Sequence, residues 1–168
     1  MNLKILISVL IALNLQAGKV NQSMQEETFL LLNALTTNST QEQCEIYKKL
    51  YSDTKNDEYL LESIRKCYAI KDPETIKFIK SGDEKLANNP LFLQIKIAYL
   101  IDAGDIKQAM EVAKNLIKLS KTEQNYLILS SIYAHVENYE EALKTLKEAY
   151  ALNMKNSDNV LRIAAILL

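Results

Sequence analysis

Apolar side chains recur three and four residues apart along most of this chain, as at Tyr126, Leu129 and Tyr133 or at Val160, Ile163, Ala164 and Leu167. That period turns one stripe of a helix toward a core and leaves its other faces polar. Residues that can accept a hydrogen bond from a free backbone N–H stand where such helices would begin. Ser39 precedes Glu42 by three, Asp72 precedes Pro73, Asn89 precedes Pro90, Asp105 follows Gly104, Thr122 opens a run ending at Ala134, Asn138 precedes Glu141 by three, and Ser157 opens the last stretch. These capping signals divide the chain into short helices joined by tight turns.

The signals also repeat. Laying Ala109 on Ala142, 33 positions apart, pairs Asp105 with Asn138, Ile106 with Tyr139, Ala113 with Leu146 and Leu116 with Ala149. A further step back reaches Ile76, with Asp72 and Pro73 in the slots of Asp105 and Ile106, and one more lands on Gln43 beside Cys44. The expected units are about 24–56, 57–89, 90–122 and 123–156, with a partial unit at 157–168, each a pair of helices. In the unit 57–89, Lys80, Gly82 and Asp83 fall on the expected packing face, so a helix break is expected near Ser81 and Gly82.

A unit of about 34 residues with Tyr126, Leu129, Ser130 and Tyr133 in its first helix and Tyr139, Ala142, Leu146 and Ala149 in its second resembles the tetratricopeptide repeat (TPR) family. Met154 stands where that family has a late proline. The resemblance covers roughly 24–168 and is specific over about 90–160. It implies an all-α fold, a right-handed α-solenoid of about four helical hairpins plus a terminal unpaired helix. Ala142 and Ala149 are then small because two helices approach closely there, while Tyr139 and Leu146 fill the wider gaps.

The first residues differ in kind. Lys4, an apolar run from Ile5 to Leu15, and small residues at Ala17 and Gly18 make the pattern of a secretory signal peptide. The run is short of the roughly 20 residues needed to span a bilayer. The expectation is a signal peptide at 1–17, a short linker at 18–23, and export, in the setting of a bacterial periplasm; membrane contact would come only through an uncleaved N-terminus. An ordinary apolar first helix is the remaining alternative.

Export bears on the two cysteines. Cys44 and Cys67 lie equally far from the loop expected within SDTKND, so antiparallel helices set them level. A disulfide closing about 24 residues would stabilise the fold by roughly 3 kcal/mol. Two separately buried thiols are the alternative.

Composition narrows the functional classes. The chain has 168 residues, 48% apolar, with a net charge of −1, so there is no basic surface for nucleic acid. It has one histidine and no glycine-rich phosphate loop, no H-E-x-x-H, no C-x-x-C and no G-x-S-x-G, which leaves no catalytic residue, cofactor site or metal site to nominate.

In the family resembled, first helices line a concave face that binds peptides or partner helices. Carried onto this chain, that face offers Leu61, Arg65, Tyr68, Gln94, Ile101, Leu127, Ser131 and His135. Members that clamp a terminal carboxylate place lysine and asparagine where this chain has Leu61, Gln94 and Leu127, then Arg65, Ala98 and Ser131. The expected ligand is therefore a hydrophobic strand or helix rather than a charged tail. The last helix shows Leu161, Ala165, Ile166 and Leu168 besides its docking stripe, which points to a chain that continues or to self-association through that edge. Three roles fit: a non-enzymatic scaffold in the cell envelope, a periplasmic chaperone-like carrier of apolar segments, or an accessory module of an envelope machine.

Overall fold

The computed structural model describes residues 22–154, together with 163 and 165. The expected signal peptide, most of the linker and most of the partial unit at 157–168 lie outside the described residues. Among these there are eight α-helices and no strand: α1 (Gln22–Thr36), α2 (Thr40–Thr54), α3 (Asp57–Ala69), α4 (Thr75–Lys85), α5 (Pro90–Asp102), α6 (Ile106–Leu119), α7 (Glu123–His135) and α8 (Tyr139–Leu152). Two compact units meet in the chain between Leu86 and Ala87.

The first helices of the hairpins keep the period strictly. α3, α5 and α7 each have 13 residues and begin 33 positions apart. Asn56, Asn89 and Thr122 cap them, accepting from the N–H groups of Glu58, Phe92 and Asn125 at 2.8, 3.0 and 3.3 Å. Equivalent slots are buried in all three: Tyr59, Phe92 and Asn125; Ile64, Ile97 and Ser130; Cys67, Leu100 and Tyr133.

They also end alike. The N–H groups of Asp72, Asp105 and Asn138 each donate to a carbonyl five residues back, on Cys67, Leu100 and Tyr133, at 2.9 Å. This Schellman closure needs a left-handed residue just before the donor, and Lys71, Gly104 and Glu137 supply it with φ of 56°, 78° and 59°.

Among the second helices, α6 and α8 match closely. Ala109, Val112, Ala113 and Leu116 are buried in one, and Ala142, Thr145, Leu146 and Ala149 in the other. Ala142 is fully buried, and its carbonyl accepts from the Ser130 hydroxyl of α7 at 3.0 Å, a contact that needs a small side chain at the crossing. Tyr139 does not fill a gap between helices as expected: at the first position of α8 it is 53% exposed.

α4 departs from the expected register. Asp72 does not cap it and Pro73 is not its first residue: Asp72 Oδ1 accepts from the Glu74 N–H at 2.8 Å, Oδ2 is held by Lys48, and the chain turns once more before helix begins at Thr75. Its buried residues are Thr75, Phe78, Ile79 and Gly82, which precede Ala109, Val112, Ala113 and Leu116 by 34 positions. Thr75 thus takes the small-residue place expected for Ile76, which is exposed. The helix is unbroken at Ser81 and Gly82; Gly82 lies on the packing face, and Lys80 and Asp83 are exposed.

In the first unit, Ala34, Tyr47, Leu50 and Tyr59 form a core flanked by Leu30, Leu31, Ile46 and Tyr51. The turn between α2 and α3 is only Lys55 and Asn56, so the pair stays centred where the cysteines are level. Cys44 and Cys67, both fully buried, are joined in a disulfide with Cα atoms 5.0 Å apart.

Beside it, Lys48 Nζ reaches Glu45, Asp72 and Glu74 at 3.0, 2.8 and 3.0 Å. Burial alone would lower the ammonium's pKa, but the hydrogen bonds to these carboxylates outweigh it and hold it well above the usual value. Tyr59 in turn donates to Glu27 Oε1 of α1 at 2.7 Å. Burial first, then that carboxylate, pushes the phenol up to about 12.

Candidate partner-binding groove

A cavity of about 520 Å³ in the second unit is lined by α5, α7 and the first residue of α6. Its aliphatic part is Ile97, Ala98 and Ile101 of α5, Leu127, Ile128 and Ile132 of α7, and Ile106 of α6. Its polar part is Gln94, Gln124, Ser131 and His135. No Lys, Arg, Asp or Glu is among them. The helical period explains the convergence: 94, 98 and 101 share one face of α5, and 124, 127, 131 and 135 share one face of α7.

Five of the residues expected on a binding face, Gln94, Ile101, Leu127, Ser131 and His135, therefore line one cavity. Ile101 is 38% exposed, an aliphatic side chain left partly in water, and Ser131 is exposed. His135 sits in the last turn of α7, at the negative end of the helix dipole, and is also exposed. The other three belong to α3 in the first unit. Leu61 and Tyr68 are half-buried there, and Arg65 is exposed, its Nε donating to Glu62 at 3.1 Å.

The sequence reading missed Ile97, Ile106, Ile128 and Ile132, and the residue that organises the polar end. Asn125 is 1% exposed; its N–H is taken by the Thr122 cap, its Nδ2 donates to the Ser120 carbonyl at 2.7 Å, and its Oδ1 accepts from Gln94 Nε2 at 2.8 Å. A signal was present. Asparagine stands in the slot that Tyr59 and Phe92 fill in the preceding units, and a buried amide in an aromatic slot needs partners.

Elsewhere, Cys44, Glu45 and Asp72 bring ligand atoms within 4.8 Å of one another in the first unit. The sulfur there is already bonded to Cys67, and Lys48 supplies a cation to both carboxylates. The cluster is a structural ion-pair network. Among the described residues, no helix is long and apolar enough to cross a membrane.

Comparison with known proteins bears on the fold. No curated protein matches the sequence. A solved structure of a MamA double mutant, MamA RS-1 ArsTM, superposes with a TM-score of 0.75 at 16% identity, over 88% of this chain and 85% of that one. TTC0263, a thermophilic TPR protein of Thermus thermophilus, does so with a TM-score of 0.67 at 15% identity, over 95% of this chain and 88% of that one. At such identities the likeness is one of fold: an all-α solenoid of helical hairpins of the TPR kind. In sequence, residues 14–167 match the model of the ChAPs family, the Chs5p-Arf1p-binding proteins. The match spans nearly the whole length, and the chain belongs to the ChAPs family.

Proposed function

We propose that this protein is an exported, non-enzymatic scaffold of the cell envelope that holds a segment of a partner protein in the groove lined by α5 and α7. One observation carries the reading: Gln94, Ile101, Leu127, Ser131 and His135 converge with four isoleucines and Ala98 on one open, uncharged cavity. Concave sites of this volume and character are where ordered ligands bury apolar surface. The family is named for proteins that bind Chs5p and Arf1p, which supports a protein as the occupant. Export to an oxidising compartment such as the periplasm is supported by the signal-like pattern of residues 1–17 and by a buried disulfide, a bond that persists where thiols are not kept reduced.

A photo-crosslinking residue at Leu127, compared in cells with one at exposed Lys147 on α8, tests the reading. The expected result is one partner captured from position 127 at a fixed ratio, absent from position 147, in an envelope fraction. Identical products from both positions would refute the groove. A second reading, a chaperone-like carrier, is favoured by the uncharged aliphatic lining; it predicts many weak clients at position 127 and suppressed aggregation of unfolded proteins.

A further inference from the structure

We propose that Gln94 sets the selectivity of the groove, which takes an uncharged, aliphatic segment of a partner protein that donates one hydrogen bond to the Gln94 side chain. The inference rests on the groove being a docking surface, and goes on to name what docks.

Charge supplies the first argument. With no Lys, Arg, Asp or Glu in the lining, a charged ligand side chain entering the cavity would shed its hydration and meet no opposite charge. Aliphatic side chains enter without that loss, against Ile97, Ile101, Leu127 and Ile128.

The second argument comes from the orientation of two amides. A carbonyl only accepts, so the group Asn125 turns to the Ser120 carbonyl must be Nδ2. That leaves Asn125 Oδ1 as an acceptor, and Gln94 must meet it with Nε2. Gln94 Oε1 accepts no hydrogen bond from any described residue. The groove therefore holds an amide whose orientation is fixed from behind by a buried network and whose oxygen is uncommitted. An acceptor so fixed adds directional recognition to an otherwise greasy surface, with little ordering left to do on binding.

Selection of a random 14-residue peptide library displayed on phage, on the full chain and on its Leu127→Arg variant, tests the inference. Peptides enriched on the wild type alone are expected to be aliphatic and poor in Lys, Arg, Asp and Glu. Their affinity, read by fluorescence anisotropy, is expected to fall about fivefold in Gln94→Met, the loss of one neutral hydrogen bond. Gln94→Glu gives up the donor that meets Asn125 Oδ1 and puts a negative charge on the groove wall, so selection on it is expected to turn toward Lys- and Arg-bearing peptides. That turn is a readout which mere loosening of the fold would not produce. Enrichment of charged peptides on the wild type would overturn the proposed occupant and leave the groove standing. Unchanged affinity in Gln94→Met with unchanged preference in Gln94→Glu would overturn the role of Gln94. No enrichment over Leu127→Arg would remove the groove itself.

Discussion

Glu137 repeats the backbone of Gly104 33 residues further on, with φ of 59° at one and 78° at the other, and each is followed by an N–H that closes the helix behind it. Only glycine adopts that conformation without strain from a Cβ. Glu137→Gly, and Lys71→Gly in the same place on α3, are therefore expected to stabilise the protein by about 0.5–1 kcal/mol each. Gly104→Ala is expected to cost about 1 kcal/mol through the backbone alone, because a Cβ there meets no atom within 4 Å. Urea denaturation followed by circular dichroism measures all three.

Thr75 sits in α4 where Ala109 and Ala142 sit in α6 and α8, and its hydroxyl finds no hydrogen-bond partner. Thr75→Ala gives up one buried methyl and removes the orphaned hydroxyl, for an expected net gain of about 0.5–1 kcal/mol. Ala142→Leu overfills the crossing with α7 and is expected to cost about 1–3 kcal/mol. Opposite shifts in the denaturation midpoint would show that these positions share one packing role.

Lys48 holds the Asp72 carboxyl below the usual carboxylate range, chiefly through its hydrogen bond, against the opposing effect of burial. A carboxyl whose pKa is lower folded than unfolded contributes stability above its unfolded value near 4, and the contribution is lost as the pH falls through the folded value. Lys48→Met removes the cause. Denaturation midpoints at pH 6, 4 and 2.5 are expected to fall more steeply below pH 4 in the wild type than in the variant.

The Cys44–Cys67 bond is fully buried, so a reductant reaches it only when the hairpin opens. Intact mass after alkylation is expected to show two added groups when reductant and denaturant act together, and none when reductant acts alone for the same time. The Cys44→Ala, Cys67→Ala double variant is expected to lose about 3 kcal/mol, the entropy of an unfolded loop of this length.

The repeat was legible because caps, alanines and aliphatic stripes are local signals that recur at fixed steps. The same locality limited the reading. Nothing in KDPET announces that Asp72 will be claimed by Lys48, 24 positions earlier, so the start of α4 and its one-residue change of register could not be read from that segment. Likewise the left-handed sites at Lys71 and Glu137 carry no glycine to mark them. At the groove, the exposed face of each first helix followed from periodicity, whereas the tether from Gln94 to Asn125 depends on two side chains 31 positions apart meeting in space. Only the oddness of asparagine in an aromatic slot hinted at it.

The disulfide joins the second helix of one hairpin to the first helix of the next. In a linear array where elements lean on their neighbours, melting begins at an end and travels inward. Here such fraying can peel α1 away and then halts, since α2 cannot leave without dragging α3 along. The crosslink acts as a ratchet stop, making α2 and α3, from two adjoining hairpins, open as a single cooperative block.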